Sequence, residues 1–214
     1  MLRLRHSDNH IPFLSTERLT RYFTEVVLKS EYRGSHDELL HKWNKPITYH
    51  YDPEISKTTA SLIDTFFRKL NRELPLKGVS RTEEPLKANV RIYFLKPEEI
   101  YRRVGKQVNY ENADGITLYN FSNRTGDIIS GKVYYNIDMK KSIRKSVIRE
   151  ELVNLMGLGN DTVLRKDSIL YQYSSDNEEP SPIDWLIMKL LYDERMKCGM
   201  NHSQCEEVIK ELYY

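Results

Sequence analysis

At 214 residues, with 39% hydrophobic and 30% charged side chains, the chain can bury one good core or at most two small ones, and its composition is that of a soluble globular protein. With 33 Lys and Arg against 31 Asp and Glu, the net charge of +2 gives no basis for binding nucleic acid or an anionic membrane. No stretch approaches the roughly 18 uninterrupted apolar residues of a membrane helix, and the basic start MLRLRHSDNH lacks the apolar segment of a signal peptide.

Residues 1–14 read as a tail. Ser15 or Thr16 then caps a first helix whose Leu19, Tyr22, Phe23, Val26 and Val27 share one face. Pro46 to Tyr51 reads as a short strand ended by Asp52-Pro53. A second amphipathic helix buries Leu62, Ile63, Phe66, Phe67, Leu70 and Leu74, and Pro75 stops it. Ala88 to Leu95 is the clearest strand, and Pro97-Glu98-Glu99 opens a short helix running through Val104. Gly115 to Phe121 and Ile128 to Ile137 form two strands about a turn, and the alternation in GKVYYNID gives the second the look of an edge strand.

A helix with Ile143, Val147, Ile148, Leu152, Leu155 and Met156 on its core side ends at Gly157. Its basic run Lys140 to Lys145 reads as a solvated start. A loop containing Ser168 to Tyr171 follows, then a helix begun by Ser181-Pro182 and a last helix from about Ser203 to Tyr213. Asp184 reads as a first-turn residue complementing the helix dipole. Cys198 and Cys205 are out of disulfide reach in one helix, but Gly199 offers a break; a small bridged loop and two free thiols both remain open. No repeat or long linker divides residues 15–214.

The segment Glu150-Glu151-Leu-Val-Asn154-Leu-Met-Gly157-Leu-Gly-Asn160-Asp161 carries the most information. It resembles the HExxHxxGxxH helix of metzincin zinc peptidases, in its matrixin form HELGHALGLGHD. In such a helix two histidines four residues apart share a zinc ion, and the glutamate between them removes a proton from metal-bound water. After the glycine turn the returning chain supplies the third ligand. Here Glu150, Asn154 and Asn160 stand at the three ligand positions, Glu151 at the base position and Asp161 at the end of the motif. None of the histidines, His6, His10, His36, His41, His50 and His202, lies within it. Ser168-Ile-Leu-Tyr171 resembles the methionine-containing turn of that family, with Leu170 in place of methionine, and Pro182 to Asp193 resembles its C-terminal helix.

Together ANVRIYF, IREELVNLMGLGND, SILY and LLYDERMKCGM resemble a bacterial family of domains of unknown function grouped with the metzincin-like peptidases. In it the helix reads EExxQ or EExxN, and some members are labelled lipoproteins. The resemblance spans about Thr16 to Met200. It implies an α+β, metzincin-like (zincin) single domain: a small mixed sheet with helices, an active-site-type helix, a Met-turn-like loop and C-terminal helices. It also implies a cell-envelope or secreted location if a leader has been removed; otherwise the sequence reads as cytoplasmic.

The chemistry is read from the residues present. Asparagine amides are poor zinc ligands, so zinc is disfavoured and no cofactor is expected. Glu150, accepting from the amides of Asn154 and Asn160, can tie helix to returning loop where a metal once did. The alternative is a hydrolase with a calcium, magnesium or manganese centre on the oxygens of Glu150, Glu151, Asn154, Asn160 and Asp161, with Glu151 as general base. His50, on a strand, reads as a packing or surface residue, and so do Tyr171 and Tyr173. The leading expectation is a catalytically degenerate, metallopeptidase-like protein that binds an extended peptide or protein by strand addition near residues 132–137, or serves as a structural protein. Neither nucleic acid nor a transmembrane segment is expected, and the oligomeric state is open.

Overall fold

The computed structural model describes residues 14–29, 38–53, 55–105, 113–173 and 177–213. The tail read at 1–14 thus lies outside the described residues except for Leu14. Strands β1 (Ile47–Tyr51), β2 (Val79–Arg81), β3 (Val90–Leu95), β4 (Gly115–Phe121) and β5 (Ile128–Asn136) form one mixed sheet in the order β2-β1-β3-β5-β4. All neighbours are parallel except β4, which lies antiparallel to β5 on one edge. Six α-helices accompany the sheet: α1 (Thr16–Phe23), α2 (Lys57–Glu73), α3 (Pro97–Val104), α4 (Arg144–Asn154), α5 (Pro182–Leu191) and α6 (His202–Tyr213). No helix among the described residues is long and apolar enough to cross a membrane.

Alternation along the strands divides the core between two faces. Ile47, Tyr49 and Tyr51 of β1 turn toward α2, where the Tyr49 ring stacks on Phe67 at 4.1 Å. Both tyrosine hydroxyls donate to Asp64. Burial and this carboxylate push the Tyr51 phenol up to about 12. On the opposite face, a smaller cluster of Ile100 from α3, Ile116 and Tyr134 closes the sheet. Tyr93 and Phe94 stack on their register partners Tyr134 and Tyr135 at 5.2 and 4.9 Å, which fixes the β3–β5 alignment.

The structure corrects one reading of the strands and adds a strand. β5 is not an edge strand: it pairs with β3 on one side and β4 on the other. Its alternation misleads because Tyr134 and Tyr135 are both buried, on opposite faces. The edge is β4. The short β2 at the other edge gives no apolar signal, since none of its residues is buried. Backbone bonds define it, among them Ile47 N–H to the Gly78 carbonyl and Thr82 N–H to that of Tyr49, both 2.9 Å.

α1 continues into a π-helical turn, Thr24–Leu28, that buries Val26, Val27 and Leu28, and α1 packs on α6. Cys198 and Cys205 are free thiols, both pushed up to about 11, chiefly by burial.

Residues 38–45 form an irregular segment threaded through the core. Leu40 exchanges backbone bonds with Gly199 and Met200, and the Lys42 carbonyl accepts from Ile128 N–H at 2.9 Å. Lys42 is 5% exposed, and its ammonium donates to the Leu191 and Asp193 carbonyls at 3.0 Å each, satisfying the end of α5. Burial lowers this ammonium from 10.5 to about 8. Between those two values the unfolded chain holds a proton that the folded protein has shed, so the Lys42 contribution to stability rises with pH. Denaturant titrations of the wild type and Lys42→Met should show the difference between them growing in favour of the wild type, by about 1 kcal/mol from about pH 7 to about pH 9.

Candidate functional site

α4 buries Ile148, Leu152 and Val153 and ends in tight turns through Leu155 and Met156 to Gly157. Gly157 has φ +100°, and a methyl group there would stand 2.6 Å from the His41 carbonyl oxygen. Only glycine fits this position. The chain then returns through Asn160 and Asp161 to Thr162, which bridges in parallel to Tyr171. Thr162 N–H donates to the Leu170 carbonyl, and Gln172 N–H to that of Thr162, both at 2.9 Å. Helix, glycine turn and returning loop are therefore all present, with the SILY segment beside the returning loop.

The turn is held by residues outside the motif. The last carbonyls of a helix have no partner within it; here the Trp43 indole N–H donates to the Leu155 carbonyl at 2.8 Å, and the Tyr192 hydroxyl to that of Met156 at 3.0 Å. Tyr192 in turn accepts from Trp43 N–H at 3.4 Å. The motif amides make more local bonds than the expected bracing through Glu150. Asn154 Nδ2 donates to Glu151 at 3.4 Å, and Asn160 Nδ2 to the adjoining Asp161 carbonyl at 2.8 Å. Asn154 Oδ1 is buried and has no hydrogen-bond partner.

Glu151, at the base position of the motif, is enclosed. It is 7% exposed and lies against the start of β4. A methyl group at Gly115 would stand 2.6 Å from Glu151 Cγ and 2.8 Å from its Oε1. Thr117 Oγ1 donates to the Glu151 main-chain carbonyl at 2.9 Å, tying the same strand to α4. Glu150 and Asp161 are partly exposed. Burial, then Glu151, then Glu150 hold the Tyr135 phenol well above its ordinary value. That hydroxyl donates to the Ile148 carbonyl at 2.9 Å.

The carboxylates of the motif are not gathered around a common point. Among the described residues no group of three His, Cys, Asp or Glu is placed to hold an ion, so Glu150, Glu151 and Asp161 do not form one. The imidazoles of His41, His50 and His202 contact the Gly126 carbonyl, the Thr82 carbonyl and the Thr24 hydroxyl. His50 also alternates with Tyr49 and Tyr51, away from the face that bears α2 and α4. His6, His10 and His36 lie outside the described residues.

Asp184 is the acidic first-turn residue of α5, as its place in the sequence implies, and it is also a fully buried hub. Its carboxylate accepts from Ser168 Oγ (2.6 Å), Ile169 N–H (3.0 Å), Ser181 N–H (2.8 Å) and Ser181 Oγ (2.9 Å). The Tyr22 hydroxyl reaches it at 3.3 Å and Ser168 Oγ at 2.8 Å. One side chain thus fixes the SILY loop, the start of α5 and α1. Burial raises the Asp184 pKa despite these donors. Tyr171 and Tyr173 meet edge to face at 5.7 Å, with Tyr173 62% exposed. Sequence reasoning missed Trp43, Tyr192 and Asp184 as organising residues. The usable signal for the first two was an apolar body carrying a single polar tip, which needs a partner when buried.

A family profile, "Protein of unknown function (DUF2927)", matches residues 16–211. No curated protein matches the chain.

Tyr192→Phe, which removes the donor to Met156 and the acceptor for Trp43 N–H, should cost about 1–2 kcal/mol in denaturant titration. Asn160→Ala should cost less than about 0.5 kcal/mol, and Gly157→Ala about 2 kcal/mol or more. The reverse order for Tyr192 and Asn160 would return the bracing role to the motif amides.

Proposed function

We propose that this chain, which belongs to the DUF2927 family, has a metzincin-like scaffold without hydrolytic chemistry and holds an extended peptide along β4. The observation that carries this reading is the setting of Glu151. The carboxylate at the general-base position is packed under the first residue of the edge strand, next to an asparagine amide where a metal-dependent peptidase has an imidazole. A base of this kind must reach a metal-bound water. This one is enclosed and accepts from Asn154.

Strand addition moves from β5, where the sequence placed it, to β4. Among the described residues β4 has a strand on one side only, and such an edge is a template for an incoming extended chain. Gly115 and Thr117 anchor that edge to α4, so the template is rigid. A cell-envelope or secreted setting belongs to the same proposal and rests on the resemblance to lipoprotein members. The other reading, a hydrolase with a non-histidine metal centre and Glu151 as base, is the weaker because the carboxylates do not form a donor group.

Peptides selected from a random library on the purified protein should protect backbone amides of Gly115–Phe121 from hydrogen exchange and should not be cleaved, with or without added zinc, manganese or calcium. Binders that leave β4 unprotected would overturn the strand-addition reading. Cleavage that requires a divalent metal and is lost in Glu151→Gln would overturn the non-hydrolytic one.

A further inference from the structure

The carboxyl ends of the parallel strands β1, β3 and β5 open onto a cavity of about 320 Å³, lined by Asp52, by residues 93–95 and by Ile137. In open sheets with parallel strands this end is the usual place for a small ligand. One wall is apolar, made of Ile55, Phe94, Leu95 and Ile137. Ile137 is 47% exposed, a large apolar side chain left to water at the rim.

One guanidinium faces this apolar wall. Arg144, the first residue of α4, spends its Nη2 on two long bonds to the Ile137 and Met139 carbonyls, at 3.3 and 3.4 Å. Its Nε–H is buried and has no partner, and among the described residues Arg144 forms no ion pair. A guanidinium offers five donors and binds anions best when two of them engage together. Here most of that capacity is unspent. The cavity is also where α2 begins: Ser56 caps this 17-residue helix, accepting from Thr59 N–H at 3.2 Å and donating to Thr59 Oγ1 at 2.9 Å. The positive end of the helix dipole adds to the attraction for an anion. Asp52 on the same wall opposes a second negative charge, which favours a monoanion over a phosphate.

We infer that this cavity binds a carboxylate carrying a short apolar or aromatic body. The carboxylate sits on Arg144 and the start of α2, and the body covers Phe94, Leu95 and Ile137. The carboxylate can belong to a free acid or to the C-terminus of a peptide. This site is separate from β4, which lies at the sheet edge beyond β5, so it stands or falls independently of the peptide cleft.

The test is an NMR titration of the whole chain with 3-phenylpropanoate, with the dipeptide Ala-Phe bearing a free or an amidated C-terminus, and with inorganic phosphate. The expected result is saturable shifts of the Ser56, Thr59, Leu95 and Arg144 amides with a free carboxylate only. Phenylpropanoate alone would assign a free acid, and the dipeptide acid alone a peptide end. Arg144→Met should weaken binding about tenfold or more. Ser56→Asp, which keeps a helix cap and so the melting temperature, should do the same by placing a negative charge at the mouth. The inference is overturned by an absence of shifts with both carboxylates at about 10 mM (binding weaker than the roughly 1 mM limit of useful affinity). Equal binding of the amidated dipeptide or of phosphate, or wild-type affinity in Ser56→Asp, would also overturn it.

Discussion

Two aromatic donors at the end of α4 hold the centre of this molecule. A helix that stops in the core leaves carbonyls that water cannot reach, and each must find a donor or the turn will not form. Trp43 and Tyr192 supply those donors to Leu155 and Met156 while filling the surrounding space with their rings. They come from opposite ends of the chain, one before β1 and one just after α5. The glycine turn can therefore close only when both ends have docked, and the irregular segment 38–45 is as much part of the core as any strand.

A second centre, Asp184, does for the SILY loop what the aromatic pair does for the turn. A loop of this kind has no ladder of its own beyond the single bridge between Thr162 and Tyr171. The carboxylate gathers backbone and hydroxyl donors from both sides of it and adds the Tyr22 hydroxyl from α1. These two polar centres, each built around enclosed acceptors, give the region a defined geometry. Such networks are costly when incomplete and specific when satisfied.

Most elements were legible in the sequence because hydrophobic period and capping residues agree. Ser15 and Ser56 cap α1 and α2 as side-chain acceptors, and Pro97 and Pro182 open α3 and α5. The order of strands was not legible. β2 is a three-residue edge strand without a buried side chain, and tyrosine, apolar in body and polar in tip, hid the two-sided burial of β5. At the candidate site the helix, turn and return were readable from Gly157 and the residues around it. The direction of the side chains was not. Residue type marked Glu151 as a base-like carboxylate, but its burial depends on Gly115, thirty-odd positions earlier and lacking a side chain. Asp184 was visible as a first-turn residue of a helix, and only the fold brings Ser168 and Tyr22 to it.

The missing side chain at Gly115 has a consequence for any attempt to build a metal centre at this turn. Writing imidazoles into positions 150, 154 and 160 would add three ring nitrogens, yet the neighbouring carboxylate would still be clamped between a helix and a backbone that touches it. Opening Glu151 to a bound water would require the first turn of that edge to swing outward, which breaks the Thr117 tether and disturbs pairing with β5. Exchanging three side chains is a local change; uncovering a carboxylate that lies beneath a paired strand is not.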